Sequence, residues 1–185
     1  MRIVGGYFKG RELRSFSNMK NASLRPTSDR VKESVFNILI HKFQVNFSGV
    51  NVLDLFAGTG SLGLEALSRG AKSVTFVEKD SYACHIILDN IERLGVKSKT
   101  SINKKNCLNI GENGSDPFDL VFIDPPYGQN LGEKTLERIL NEKWFRSKSL
   151  IVWEENAKIS DLNNLKRLDI RKYGETNILI AEAMV

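Results

Sequence analysis

Hydrophobic and polar positions along the chain fall into two regimes. Residues 1–14 alternate loosely, with Gly5-Gly6 and Lys9-Gly10 as turn signals, and predict a short β-hairpin. Residues 15–23 are polar and predict a loop. Arg25-Pro26-Thr27 then breaks the chain ahead of a helix that Thr27 or Ser28 can cap. Val31, Val35, Ile38 and Leu39 recur at helical spacing and mark one face of that helix. From residue 50 onward strands and helices alternate. Strands are predicted over 50–56, 73–77, 99–103, 118–123 and 149–153, and helices over 61–69, 80–94 and 131–141. Ile86, Ile87, Asn90, Ile91 and Leu94 lie on the buried side of the second of these helices. Residues 167–172 and 177–183 read as two further strands joined around Gly174, an antiparallel hairpin. Such alternation predicts an α/β fold with a mostly parallel seven-stranded sheet covered on both faces. Ligands of such sheets bind beyond the carboxyl ends of the strands, near the point where the strand order reverses.

The chemistry-bearing residues gather at those ends. Asp54, Glu78 and Asp124 each stand where a predicted strand stops, and three acids converging on one edge are hard to explain by packing. The apolar run Leu120-Val121-Phe122-Ile123 leads into Asp124-Pro125-Pro126-Tyr127. This sets a carboxylate, bare carbonyls and an aromatic ring at the sheet edge. The prolines lack N–H groups and have fixed φ, so the turn presents acceptors in a stiff frame. These are the parts needed to grip an exocyclic amino group on a nucleobase.

Upstream, Gly58-Thr59-Gly60-Ser61-Leu62-Gly63 fits the GxGxxG pattern, and Glu78 follows Gly58 by 20 residues. That spacing equally fits a dinucleotide site in which the acid binds a ribose hydroxyl pair. The loop alone leaves NAD and S-adenosylmethionine as rivals. Asp54, just ahead of the glycines, would repel a pyrophosphate and attract a cationic amino-acid moiety. Hydride transfer also gives no reason for Asp-Pro-Pro-Tyr. Both points favour S-adenosylmethionine, which carries an ammonium and a sulfonium and no phosphate.

Composition adds the polarity of the partner. The first 32 residues hold eight basic and two acidic side chains, a balance of +6, whereas the whole chain of 185 carries +5. A basic end on a near-neutral body predicts a polyanion gripped at that end. Tyr7 and Phe8 are expected in the hairpin core, Trp144 and Trp153 in the packing of the main body. Arg30 and Lys32 are expected on a solvated helix face unless they meet phosphates. Cys84 and Cys107 form no CxxC and read as reduced thiols. His41 and His85 stand alone, and no metal is expected. No membrane-spanning run or signal peptide is expected.

The glycine loop from Phe56 to Gly60 and the Asp-Pro-Pro-Tyr motif resemble the class I S-adenosylmethionine-dependent methyltransferases that modify exocyclic amines. The closer resemblance is to the RsmD family of bacterial 16S rRNA guanine-N2 methyltransferases. It is carried by Arg2-Ile3-Val4-Gly5-Gly6 with Lys9-Gly10-Arg11, and by Arg25-Pro26-Thr27 followed by Arg30-Val31-Lys32-Glu33 and Phe36-Asn37. Asp54-Leu55-Phe56-Ala57-Gly58-Thr59-Gly60-Ser61-Leu62-Gly63 and Phe76-Val77-Glu78-Lys79-Asp80 extend it.

The resemblance implies a Rossmann-like methyltransferase domain over 25–185, preceded by a basic RNA-binding unit over 1–24. It implies S-adenosylmethionine as donor, held by Asp54, Phe56, Ala57, Gly58 and Gly60 on one side and by Glu78, Lys79, Asn106 and Cys107 on the other. Asp124, Pro125, Pro126 and Tyr127 form the implied catalytic motif. Arg2, Lys9, Arg11, Arg14, Arg25, Thr27 and Arg30 are the implied RNA contacts. The implied setting is cytoplasmic, with a monomer acting on 16S rRNA in the assembling small ribosomal subunit.

One position departs from the wider class. Asn106 stands where many members carry an Asp that touches the donor's adenine amino group, though an Asn carbonyl can accept that bond. Two other readings fit the same residues: an amino methyltransferase acting on adenine N6 in DNA or on another RNA, and a non-catalytic nucleic-acid-binding module of the same fold.

Overall fold

The computed structural model describes residues 1–16, 28–126, 128–140, 142–157, 159 and 162–184. Among the described residues, seven strands form one sheet. They are β1 (Asn51–Leu55), β2 (Ser73–Val77), β3 (Thr100–Asn103), β4 (Phe118–Ile123), β5 (Phe145–Glu155), β6 (Leu165–Tyr173) and β7 (Thr176–Ala183). Their order is β3-β2-β1-β4-β5-β7-β6. The first five strands run parallel, and β7 enters antiparallel between β5 and β6. The chain leaves β1 toward β2 on one side and returns to β4 on the other. The order therefore reverses between β1 and β4, and a crevice opens there beyond the strand ends.

Alternation along the strands decides which face each residue covers. Val52, Phe76, Leu120, Phe122, Val152 and Ile180 point to one face. There they meet α1 (Asp29–His41), α2 (Ser61–Ser68) and α3 (Ser81–Leu94). Leu53, Val121, Ile123, Ile151 and Leu179 point to the other, packed against Leu136, Ile139 and Leu140 in and just after α4 (Leu131–Ile139). Trp144 and Trp153 are buried in this second layer, as expected.

Three expectations are corrected. The amino-terminal segment is not a regular hairpin but a single antiparallel bridge, Arg2 to Glu12. Around that bridge Ile3 N–H donates to the Arg11 carbonyl (2.9 Å), Gly10 N–H to the Ile3 carbonyl (2.8 Å) and Leu13 N–H to the Met1 carbonyl (3.1 Å), while the Ile3 and Leu13 side chains bury into the main core. Val4 N–H donates to Glu65 (2.8 Å) and Tyr7 N–H to the Ser68 carbonyl (2.7 Å), both on α2. On the return, Arg11 donates to the Arg93 carbonyl, Arg14 meets Asp89 and Asn90, and the Phe16 ring lies against Tyr82, all on α3. The segment thus descends α2 and climbs α3.

The second correction concerns α1. Its buried residues are Lys32, Val35, Phe36 and Leu39, while Val31 and Ile38 are only half-buried. Lys32, expected on a solvated face, is fully buried. Its Nζ donates to the Arg2 carbonyl (2.7 Å) and to Ser61 Oγ (3.0 Å), with Glu65 at 3.9 Å. Burial holds this ammonium below the usual lysine range, against the pull of Glu65 and Asp29. The third concerns Tyr7, which is exposed, while Phe8 is half-buried.

β5 also begins earlier than its apolar run, because a bulge carries it through Arg146-Ser147-Lys148. The pairing jumps from Phe118–Phe145 to Leu120–Leu150, and Ser149 Oγ repairs the gap by bonding the Phe118 carbonyl (2.7 Å) and Arg146 N–H (2.8 Å). Arg25 and Thr27 lie outside the described residues, as do positions 17–23 of the loop expected before them; Ser28 caps α1 by accepting from Val31 N–H (3.3 Å).

Candidate active site

The crevice is built from the ends of β1, β2 and β4. Leu55 pairs with Val77 on one side and Ile123 on the other. Glu78 and Asp124, one residue farther on, therefore flank the residue that follows β1, Phe56. Phe56 sits in the left-handed region at φ 57. A non-glycine residue there carries local strain, and such residues concentrate at functional turns. Past Phe56 the loop turns tightly, with Ala57 N–H on the Val77 carbonyl (3.2 Å) and Gly60 N–H on the Ala57 carbonyl (2.7 Å). It then enters α2.

The loop's amides face carboxylates. Gly58 N–H donates to Glu78 Oε2 (2.9 Å), whose other oxygen accepts from Asp80 N–H (2.9 Å). Gly63 N–H donates to Asp54 Oδ2 (2.9 Å). Gly63 is required here, since a Cβ would stand 2.5 Å from Phe76 Cε1 and 3.0 Å from that same Asp54 oxygen. In a dinucleotide site such amides would turn toward a pyrophosphate. Here two amides are taken by acids instead, Gly58 by Glu78 and Gly63 by Asp54, and are not free for a phosphate.

Asp54 is fully buried, and its carboxyl is pushed up to about 7. Desolvation dominates, the Gly63 bond opposes it, and the Glu78 charge adds to it. A buried carboxylate of this kind binds a cation more readily than an anion, because the cation restores the ionised form. The donor set suits the ammonium and ribose hydroxyls of S-adenosylmethionine and opposes a phosphate.

On the facing side, Asp124 is half-buried, its N–H reaching toward the Leu55 carbonyl (3.5 Å). Pro125 is buried and Pro126 half-buried, while Tyr127 lies outside the described residues. Asn106 is exposed just beyond β3, and its Oδ1 already accepts from Leu108 N–H (3.0 Å) in a tight turn. An adenine contact at Asn106 would have to share or displace that bond. Cys107 is buried, and burial pushes its thiol up to about 12. Lys79 is exposed, and Ala57 is buried beneath the loop. Among the described residues, no cluster of His, Cys, Asp and Glu side chains is arranged to hold a metal ion.

The basic candidates divide into two groups. Arg2, Lys9 and Arg30 line one recess between the amino-terminal segment and α1, where Arg2 lies 3.7 Å from Asp29. Arg11 and Arg14 lie on the α3 side, Arg14 paired with Asp89. One residue that the motifs did not single out joins this segment to the donor loop. Asn90, fully buried on α3, donates to the Thr59 carbonyl (3.1 Å) and the Arg14 carbonyl (3.2 Å) and accepts from Arg14 N–H (2.7 Å). Its signal in the sequence is an amide on the apolar face of α3.

A family model described as conserved hypothetical protein 95 matches residues 1–182. Ribosomal RNA small subunit methyltransferase D of Haemophilus influenzae is 38% identical over 160 residues, covering 83% of this chain and 78% of that protein. The protein of the same name from Escherichia coli K12 is 34% identical over 157 residues, covering 85% and 75%. Among solved structures, an Escherichia coli protein carrying a provisional methyltransferase name superposes with a TM-score of 0.85 at 28% identity, covering 99% of this chain and 97% of that one.

Proposed function

Since the chain belongs to the RsmD family of methyltransferases, we propose that it transfers a methyl group from S-adenosylmethionine to the exocyclic N2 amino group of a guanine in small-subunit ribosomal RNA. The observation that carries the reading is the pairing, across one crevice, of a glycine loop whose amides serve Asp54 and Glu78 with the Asp124-Pro125-Pro126 turn. The first side suits a cationic donor with ribose hydroxyls, and the second suits an amine.

S-adenosylmethionine, when bound, supplies a methyl group already activated by its sulfonium. Asp54 is assigned to the donor's ammonium and Glu78 to its ribose hydroxyls. Phe56, Ala57, Gly58 and Gly60 form the wall of that site, with Lys79, Asn106 and Cys107 at its rim. A guanine amino group is a poor nucleophile because its lone pair is delocalised into the ring. The task left to the protein is to hold that lone pair on line. Asp124 accepts one N–H of the amine and the Pro125 carbonyl accepts the other. As the N–C bond formed and the donor's S–CH3 bond broke, releasing the thioether S-adenosylhomocysteine, positive charge would grow on the nitrogen; the Asp124 carboxylate would stabilise it and take up the departing proton. Pro126 keeps the turn stiff, and Tyr127 is assigned to stack on the base.

The base must be unpaired or turned out of its stack to enter. Arg2, Lys9, Arg11, Arg14 and Arg30, with Arg25 and Thr27, are assigned to flanking phosphates, which supply affinity and not sequence choice.

The test is transfer of labelled methyl to small ribosomal subunits lacking the modification, with naked rRNA and DNA in parallel, followed by digestion to nucleosides. Label in N2-methylguanosine from one rRNA site is expected; label in N6-methyladenine would keep the chemistry and overturn the target. Asp124→Ala should lower turnover at least about 100-fold while leaving donor binding nearly intact. Survival of turnover in that variant would remove Asp124 from its role.

A further inference from the structure

Tyr7 is 87% exposed, far more than any other large hydrophobic side chain of the described residues. Its mount is nevertheless rigid. Tyr7 N–H is bonded to the Ser68 carbonyl (2.7 Å), Phe8 N–H to Ser68 Oγ (2.9 Å), and Ser68 Oγ to the Gly5 carbonyl (2.6 Å). Gly6 makes the approach possible: it has φ +75, and a Cβ there would lie 1.9 Å from the Ser68 carbonyl oxygen. The Tyr7 ring stands edge-on to Phe8, with centroids 5.0 Å apart and planes at 81°. The Arg11 guanidinium lies 5.4 Å over the Phe8 ring. Lys9 is exposed on the other flank, lining the recess toward α1.

An aromatic side chain held this firmly and left in water is prepared for a partner, because its ordering cost is already met in the free protein. Single cations on both sides, within the first 32 residues whose balance is +6, favour a nucleobase with its phosphates over an apolar protein surface.

The location matters as much as the chemistry. α2 starts at the donor loop and runs away from the crevice, and the turn sits at its far end, against Ser68. We propose that this turn is a second RNA contact, in which Tyr7 stacks on an unpaired base at least about 12 Å from the methyl-transfer site, the length of an eight-residue helix. The proposal rests on the rRNA methyltransferase reading given above. It adds that the substrate is read at two places, so that RNA too short to reach both is a poor substrate.

The experiment compares wild type, Tyr7→Ala, Tyr7→Phe and Tyr7→Trp on naked small-subunit rRNA and on assembled small subunits. Tyr7→Ala should raise KM for RNA about tenfold, with donor affinity and melting temperature unmoved, and Tyr7→Phe should stay within about twofold of wild type, since stacking needs the ring and not the hydroxyl. Trp144 and Trp153 are buried, so the fluorescence of the Tyr7→Trp protein reports the turn; rRNA should quench it. An unchanged KM in Tyr7→Ala overturns the proposal. So does a defect confined to assembled subunits without quenching by naked rRNA, which would assign the turn to a ribosomal protein. If wild type methylates no rRNA at all, the parent reading fails instead, and the two failures are told apart by that control.

Discussion

Asp54 carries the heaviest electrostatic cost at the candidate site. Its carboxyl is buried against Gly63 N–H and within reach of the Glu78 charge, and is pushed up to about 7. An ionised Asp54 is needed to attract a cationic donor, so affinity for S-adenosylmethionine should rise with pH through about 7. Calorimetry across that range checks it, and Asp54→Asn should both weaken binding and flatten the pH dependence. The same group sets a stability trend. Its folded value lies above the unfolded carboxylate value of about 3.9. Its favourable contribution is therefore complete below that pH and is lost as pH rises through about 7. Without donor, Asp54→Asn should gain in melting temperature relative to wild type between about pH 5 and about pH 8; a constant difference over that interval would mean that Asp54 is ionised throughout. The identities of Asp54, Glu78 and Asp124 could be read as a site because acids at strand ends have little packing use. That Glu78 and Asp54 bind the loop's own amides could not be read, because those bonds join residues 20 and 9 positions apart.

Among the elements, α1 differs most from its pattern. A helix face drawn through Val31 and Ile38 satisfies periodicity, yet the buried stripe passes through Lys32. Lys32 wins that place because its stem fills volume between α1 and α2 while its ammonium meets the Arg2 carbonyl and Ser61. Glu65 keeps a partner without it, since Arg69 Nε lies 2.8 Å away. Volume should therefore matter more than charge. Lys32→Ala should cost about 2–4 kcal/mol by urea unfolding, from the cavity it leaves. Lys32→Met should recover most of that loss, as buried ions often exchange for apolar side chains of similar size without penalty. Equal damage from both variants would put the weight on the charge network. Similar reasoning explains the amino-terminal segment, whose alternation suggested self-pairing. Ile3, Gly10 and Leu13 N–H do pair within it, but Val4 and Tyr7 N–H find acceptors on α2, and the Ile3 and Leu13 side chains fill the main core.

For the molecule as a whole, the basic residues matter through their distribution. Lys9 and Arg30 share a recess and make no ion pair among the described residues, whereas Arg14 is held by Asp89. Lys9→Ala and Arg30→Ala should each reduce the slope of log affinity for small-subunit rRNA against log salt by about one, and Arg14→Ala by less. Anisotropy titrations from about 50 to about 200 mM salt would measure this; equal slopes for all three would show that Asp89 yields its partner to RNA. By itself the sequence determined the alternation of strands and helices, the bounds of β2 and β4, the convergence of three acids and the Asp-Pro-Pro turn. These follow from periodicity and from residue types whose conformational demands are local. Tertiary structure alone decided which face of α1 is buried, the bulge that lengthens β5, the capture of the glycine-loop amides by carboxylates, and the exposure of Tyr7 on a turn fixed to α2. Each of these depends on a partner distant in sequence, and a local pattern carries no record of which distant group will arrive.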